Sequence, residues 1–116
     1  MTSIEVRRRI MSQMTEDLTG LWELPATKDA PAVDDLIAVL SDLIGEDLVT
    51  VYSGTGFGAE ETPLPVSAAL AAIRDHRFWE WSAPESETHL RAFATPAGRD
   101  WYFGLSHDVP ASRRVS

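Results

Sequence analysis

The chain has no cysteine, only one lysine and no long apolar run. Without cysteine there can be no disulfide framework, no thiolate nucleophile and no cysteine-based zinc site. No stretch approaches the roughly 20 apolar residues that a membrane-spanning helix requires. The arginines within residues 1–10 are not followed by the apolar segment of a signal peptide. We therefore expect a protein of the cytoplasm that does not enter a membrane.

The length and composition fit one globular domain. A chain of 116 residues with 44% hydrophobic residues is large enough to bury a core without disulfides or a metal. We assign residues 1–108 to this domain. Residues 109–116 are expected to form a flexible C-terminal tail, as chain termini commonly do.

The acidic residues are concentrated in the middle of the chain. Residues 1–14 carry a net charge of +2, residues 15–66 carry −10, and residues 67–116 carry zero, which gives the total of −8. A negatively charged surface repels a phosphate backbone and attracts basic molecules. Nucleic acid is therefore an unfavourable partner.

The first helix is predicted from its cap and its apolar spacing. Thr2 and Glu5 have the spacing of a capping box. Apolar residues then recur every four positions, at Val6, Ile10, Met14 and Leu18. We expect the helix to end at 19–20 and residues 21–24 to be extended.

A second helix is predicted after residues 29–31, where Asp29 supplies a cap and Pro31 the first turn. Its apolar positions fall on one face, and Gly45 is placed to end it. The inward residues are Val33, Leu36, Ile37, Leu40, Leu43 and Ile44. The opposite face carries Asp34, Asp35, Ser41 and Asp42.

Further along, strand composition alternates with one more helical pattern. Residues 48–52 and 89–95 have strand composition, and residues 53–63 and 82–87 read as loops. A third helix is expected over 65–75, with Val66, Ala69, Leu70 and Ile73 facing inward. We expect 48–52 to pair antiparallel with 89–94. The alternative is a local hairpin between 89–94 and 101–105, with 48–52 beside 21–24.

The stretch 95–104 permits two structures. Thr95, Pro96 and Gly98 suit a hairpin turn that leads into a strand at 101–103. They also suit a helix start, with Thr95 as N-cap and Pro96 in the first helical position.

Two runs, 36–52 and 93–102, resemble parts of bacterial winged-helix proteins. Residues 36–52 (LIAVLSDLIGEDLVTVY) resemble the recognition helix and the first wing strand, and residues 93–102 (FATPAGRDWY) resemble the end of the wing and the helix after it. The resemblance implies a helix at about 96–104. It also implies an α+β, winged-helix-like domain in which three or four helices pack on a small antiparallel sheet. The family's DNA-binding role conflicts with the acidic face of residues 34–42, because DNA readers rely on basic and amide side chains.

No set of residues amounts to a catalytic or metal site. The glycines of 54–58 match neither the Rossmann fingerprint nor the P-loop. Neither a nucleophile elbow nor a typical zinc spacing is present. We interpret His76, Glu80, Glu85, Glu87 and His89 as solvated surface residues. The expectation is a protein that is not an enzyme and has no cofactor.

We therefore predict a non-enzymatic protein-interaction module. The candidate contact residues are Asp34, Asp35, Asp42, Trp79 and Trp81, and the expected partner is a basic protein. For the tryptophans the alternative is a structural role in covering the open side of the sheet. A homodimer is compatible with the sequence.

Two other functions remain open. One is a dimeric DNA-binding regulator that uses Arg91, Arg99 and residues 7–9. The simpler interpretation of Arg7–Arg9 is a solvated helix face. The other is a small-molecule-binding protein or enzyme with a pocket beside the third helix.

Overall fold

The fold combines four helices and one antiparallel sheet within the residues that the structure describes. This structure, a computed structural model, describes residues 2–55, 61–80 and 88–107. The helices are α1 (Ser3–Met14), α2 (Val33–Gly45), α3 (Val66–Ala72) and α4 (Pro96–His107), the strands are β1 (Thr19–Gly20), β2 (Val49–Thr55), β3 (Thr62–Pro63) and β4 (Thr88–Ala94), and two 3₁₀ turns span Leu21–Glu23 and His76–Trp79. The predicted α+β class is confirmed. The expected tail at 109–116 lies outside the described residues.

The sheet has the order β1-β4-β2-β3, and all its neighbours are antiparallel. Its centre is the pairing of β2 with β4, in which Val49 faces Ala94 and Val51 faces Ala92. The predicted pairing of 48–52 with 89–94 is thus confirmed, and the hairpin alternative is wrong. More than 30 residues separate the two strands, but loop closure costs only a logarithmic penalty in length.

The core lies between α1, α2 and one face of the sheet. Met11 and Met14 of α1, Leu40 of α2 and Val51 of β2 are fully buried. Inward residues alternate along both central strands, as the two-residue period of a strand requires. The residues on the inner face of β2 and β4 are Val49, Val51, Leu90, Ala92 and Ala94.

Helix α1 begins as predicted. The hydroxyl of Thr2 accepts a hydrogen bond from the backbone N–H of Glu5, and the carboxylate of Glu5 accepts one from the N–H of Thr2. The helix ends at Met14 rather than near residue 19. Residues 21–23 form a 3₁₀ turn, so the predicted extended piece at 21–24 is wrong.

Helix α2 ends at Gly45, as predicted, and it buries the predicted Leu36, Leu40, Leu43 and Ile44 together with Val39, but it starts later than expected. It starts at Val33 with Ala32 as an N-cap that offers no side-chain bond, so residues 29–31 do not cap it. Asp29 and Asp47 adopt left-handed backbone conformations, with φ of 58° and 62°. After the helix ends, the left-handed backbone of Asp47 turns the chain toward β2. Aspartate tolerates this conformation better than most residues.

Helix α3 is shorter than predicted, and one of its inward assignments is wrong. Ala69 and Ile73 are buried, but Val66 is 48% exposed. Val66 stands at the first helical position, directly after the exposed Pro65. The tight turn after Ala72 positions the 3₁₀ segment His76–Trp79, which packs against the core.

Helix α4 resolves the ambiguity at 95–104 in favour of a helix. The backbone N–H of Gly98 donates to the hydroxyl of Thr95 at 3.0 Å, the bond expected of an N-cap. That hydroxyl also donates to the carbonyl oxygen of Asp47 at 2.7 Å. The same turn at residues 47–48 therefore anchors the start of both β2 and α4.

Candidate functional site

The outer face of α2 is acidic and open to solvent. Asp34, Asp35 and Asp42 are all exposed, as predicted. Asp35 and Asp42, seven residues apart, lie two helical turns apart on the same side of α2, and Asp34 precedes Asp35 in the first turn. Asp34 and Asp35 also stand in the first turn, where the positive end of the helix dipole stabilises carboxylates. That local role does not extend to Asp42, which lies in the last turn.

Two basic side chains lie near this face, and one of them, Arg7, is close enough to Asp42 for that carboxylate to help raise the pKa of Arg7. The imidazole Nε2 of His76 lies 3.0 Å from the Asp34 carboxylate, with both side chains largely exposed. Within residues 2–55, 61–80 and 88–107, neither Asp35 nor Asp42 forms an ion pair. The face therefore keeps most of its negative charge.

Arg7 and Arg9 serve the internal structure. Arg7 forms a bidentate pair with Glu46, with distances of 2.5 and 3.2 Å, and its guanidinium lies over the ring of Trp101. The hydrogen bond to Glu46 raises the pKa of Arg7 and lowers that of Glu46. Arg9 donates to the carbonyl oxygens of residues 28 and 29. The interpretation of residues 7–9 as a purely solvated face is wrong for these two arginines.

Arg91 and Arg99, the other basic residues of the DNA-binding alternative, are also engaged. Arg91 Nη1 lies 2.7 Å from Glu61 Oε1, and both side chains are mostly buried. Arg99 donates to the carbonyl oxygen of Thr15 at 2.7 Å. These guanidinium groups bind protein oxygens, so they are poorly placed to neutralise phosphates.

Trp79 belongs to the core. Its side chain is 2% exposed, and its indole N–H donates to the carbonyl oxygen of Ile73 at 2.7 Å. The bond satisfies the one polar atom of the ring. Trp79 therefore contributes no accessible surface for a partner in this structure, which supports its structural role. Trp81 lies outside the described residues.

His89 was predicted to be solvated, and this is wrong. It is 7% exposed, and the ring of Trp22 lies against it at 5.3 Å between centroids. Trp22 folds back over the sheet beside Gly20, whose backbone N–H donates to the Glu23 carboxylate. His76 and Glu80 are exposed, whereas Glu85 and Glu87 fall outside the described residues. Nothing in the spacing of Gly20 and Trp22 along the sequence predicted their close contact.

A pocket opens on the side of the sheet that faces away from the core. Its volume is about 360 Å³, and we call it the sheet pocket. The described residues that line it are Glu16, Asp17, Leu18, Tyr52, Glu61 and Phe93. Tyr52 and Phe93 stand at alternate positions to the buried Val51 and Ala92. They therefore point to the outer face.

From the sequence we expected a pocket beside the third helix, and the sheet pocket lies elsewhere. Its residues come from the turn after α1, from β2, from the residue before β3 and from β4. The alternation along residues 48–52 and 89–95 indicated that neighbouring side chains of each strand point to opposite faces of the sheet. It could not identify the pocket, because Tyr52 and Phe93 become neighbours only through the pairing of their strands.

No helix among the described residues is both long enough and apolar enough to cross a bilayer. In the same part of the chain, no three histidine or carboxylate side chains come close enough to hold one metal ion.

Comparison with known proteins gives no relative from which to transfer a function. No protein-family model matches the chain, and neither the curated proteins nor the solved structures contain a significant match.

Proposed function

We propose that this chain is a non-enzymatic protein-interaction module that binds a basic protein through the outer face of α2. One observation carries the proposal: Asp34, Asp35 and Asp42 are exposed together, while Arg7 and Arg91 are paired with other carboxylates. The negative charge predicted for residues 15–66 is therefore only partly offset where it reaches the surface of α2, by His76 beside Asp34 and by Arg7 near Asp42.

Such a face acts mainly on the rate and the selectivity of association. Complementary charge steers a partner during its diffusional approach and disfavours partners of the same sign. Because the three carboxylates are exposed, salt screens their interactions, and the screening length is about 8 Å at physiological ionic strength. We expect binding to weaken markedly as salt rises. A second copy of this chain is an unfavourable partner for this face, because like charges would meet.

The proposal includes a winged-helix-like arrangement. Its support is the order of elements: α2 leads into β2, β2 pairs with β4, and β4 leads directly into α4. In this arrangement α2 occupies the place of a recognition helix. Its carboxylates repel phosphate and suit a basic protein surface. We therefore infer that α2, in this position, binds a protein and not DNA.

The experiment is an affinity capture from the native host with three forms of the protein. They are the wild type, the face variant D34N/D35N/D42N, and a control variant D29N/E80Q/D100N that loses the same charge at other exposed positions. A partner of this face is captured by the wild type and the control at low salt. It then binds the face variant about tenfold to a hundredfold more weakly when the purified pair is measured.

Two results would contradict the proposal. One is a purified partner whose affinity is equal for the face variant and the wild type. The other is a partner whose affinity drops equally in both variants, since total charge alone would then be responsible. Circular dichroism of each variant confirms that the fold is intact before binding is compared.

A further inference from the structure

The sheet pocket combines three features that point to a ligand class. It has carboxylates at its edge, two aromatic rings in its wall and a buried carboxylate oxygen to which no described residue donates a hydrogen bond. We propose that the sheet pocket binds an organic cation of the alkylguanidinium or alkylammonium class. This inference does not depend on the proposed function, because the acidic face of α2 contributes no residue to the pocket.

The charge of the pocket favours a cation. Glu16 and Asp17 are exposed at its edge, and Glu61 forms part of its wall. The guanidinium of Arg91 pairs with one oxygen of Glu61 and so offsets one of these three charges. The described lining therefore keeps a net negative charge, which attracts a positive ligand and disfavours an anion.

The aromatic wall favours an organic cation over a simple inorganic cation. Tyr52 and Phe93 lie on adjacent strands and on the same face of the sheet. Aromatic rings attract ammonium and guanidinium groups through their negative faces, and guanidinium also stacks on them. Leu18 adds apolar surface that suits an alkyl chain. A pocket of about 360 Å³ is at the small end of the range for small-molecule sites.

The carboxylates are too dispersed for a metal ion. Glu16, Asp17 and Glu61 do not form one of the compact groups of three that a metal requires, as judged over the described residues. A cation whose charge is spread over several atoms can reach separated carboxylates, and an alkyl chain can connect two such groups. The spacing therefore favours a polyatomic ligand.

The second oxygen of Glu61 supplies the polar anchor. Oε2 is shielded from solvent and accepts no hydrogen bond from the residues that the structure describes, whereas Oε1 accepts one from Arg91. A buried acceptor without a donor is costly, and native structures contain few of them. Because Oε2 is closed to solvent, the carboxyl group has to rotate toward the sheet pocket before a ligand N–H can supply this donor.

The first experiment titrates agmatine, which carries a guanidinium and an ammonium group, against the full chain. Backbone amide shifts of Leu18, Tyr52 and Phe93 should move together with a Kd tighter than roughly 5 mM. N-butylurea, which is neutral and of similar shape, should not bind in that range. No shift at these residues, or equal binding of the neutral compound, would overturn the proposal.

Variants then locate the charge and the rings. E16Q/D17N should weaken agmatine binding about threefold to tenfold, whereas the charge-matched D34N/D35N on α2 should leave it unchanged. Asparagine at position 17 keeps the oxygen that accepts the N–H of Leu18. Phe93→Leu keeps apolar volume but removes the ring, and should weaken binding about twofold to fivefold. Equal affinity for these variants and for the wild type would refute the site.

Glu61→Gln tests the anchor. Glutamine still offers Arg91 an acceptor oxygen but places an N–H₂ group where the unpartnered oxygen stands. We expect at least about a tenfold loss of agmatine affinity. If this variant fails to fold, E16Q/D17N still decides the question, because both residues are exposed.

The organic cation can be a free amine or a side chain of a protein, and a second titration separates these sources. A blocked Gly-Arg-Gly peptide presents the same guanidinium on a backbone. If the peptide binds at least about tenfold more tightly than agmatine, the natural ligand is a protein side chain. If the peptide does not reach that affinity, the natural ligand is a free amine. Failure of the α2 variants to affect a protein partner leaves these results unchanged, so the two proposals fail separately.

Discussion

Replacing Gly98 by alanine should destabilise the fold, although alanine is the better helix former. Gly98 is buried in the first turn of α4. A Cβ atom at this position would overlap the carbonyl oxygen of Leu48 and would lie 2.9 Å from its carbonyl carbon. Both atoms belong to the backbone, so no side-chain rotation can relieve the overlap.

The magnitude follows from two opposing effects. Alanine in place of glycine within a helix stabilises by about 0.5–1 kcal/mol. Against this, α4 must move away from the turn at residues 47–48. The movement strains the bond from the N–H of Thr95 to Leu48 and the bond from the Thr95 hydroxyl to Asp47. Overpacking costs about 1–3 kcal/mol and a weakened hydrogen bond about 1 kcal/mol. We expect a net loss of about 1–3 kcal/mol.

The matched control is Gly45→Ala at the end of α2. A Cβ atom there meets nothing within 4 Å, so only the helix preference acts. This variant should gain about 0.5–1 kcal/mol. Urea unfolding followed by far-UV circular dichroism measures both changes, with equal m values as the check for two-state behaviour. If Gly98→Ala were as stabilising as Gly45→Ala, the docking of α4 on the turn at residues 47–48 would be refuted.

Three further outcomes are expected. Leu40→Ala should lower the free energy of unfolding by about 2–5 kcal/mol, because Leu40 is fully buried; a loss under about 1 kcal/mol in urea would mean that α2 buries another face. Hydrogen bonds from the side chain and the backbone N–H of Arg77 lower the pKa of Asp75 to about 2. Its stabilising contribution is therefore full above the ordinary carboxyl pKa of 3.8 and is lost as the pH falls through about 2. An NMR titration of Asp75 should show this midpoint, and Arg77→Ala should move it back toward 3.8; an unchanged midpoint would exclude the Arg77 side chain as the main cause. Finally, duplex DNA at physiological salt should bind no better to this chain than to an acidic control protein, and submicromolar, steeply salt-dependent binding would revive the DNA-binding alternative.

Local patterns in the sequence determined much of the architecture. The capping box of Thr2 and Glu5 depends on atoms three residues apart, so the sequence was sufficient to place it. The buried stripe of α2 and the alternation in β2 and β4 follow from the repeat lengths of helix and strand. The acidic face at 34–42 is the reverse side of that stripe, and it could be predicted for the same reason.

The ends of elements were predicted less well, because they depend on small differences in backbone energy. The first helix was expected to run to residues 19–20, but it ends at Met14. Val66 has an apolar side chain in a helical pattern, yet the position of α3 leaves it at the surface. Both outcomes depend on where the neighbouring elements lie.

The roles of individual polar residues and the sheet pocket were decided by tertiary structure alone. Arg7 meets Glu46 across 39 residues of sequence, and Glu61 meets Arg91 across 30. Tyr52 and Phe93 share the sheet pocket only because β2 pairs with β4 in one register. The sequence sets which side chains each element presents on each face. Which faces meet depends on the packing of the whole core, a sum of many small contacts that no local pattern contains.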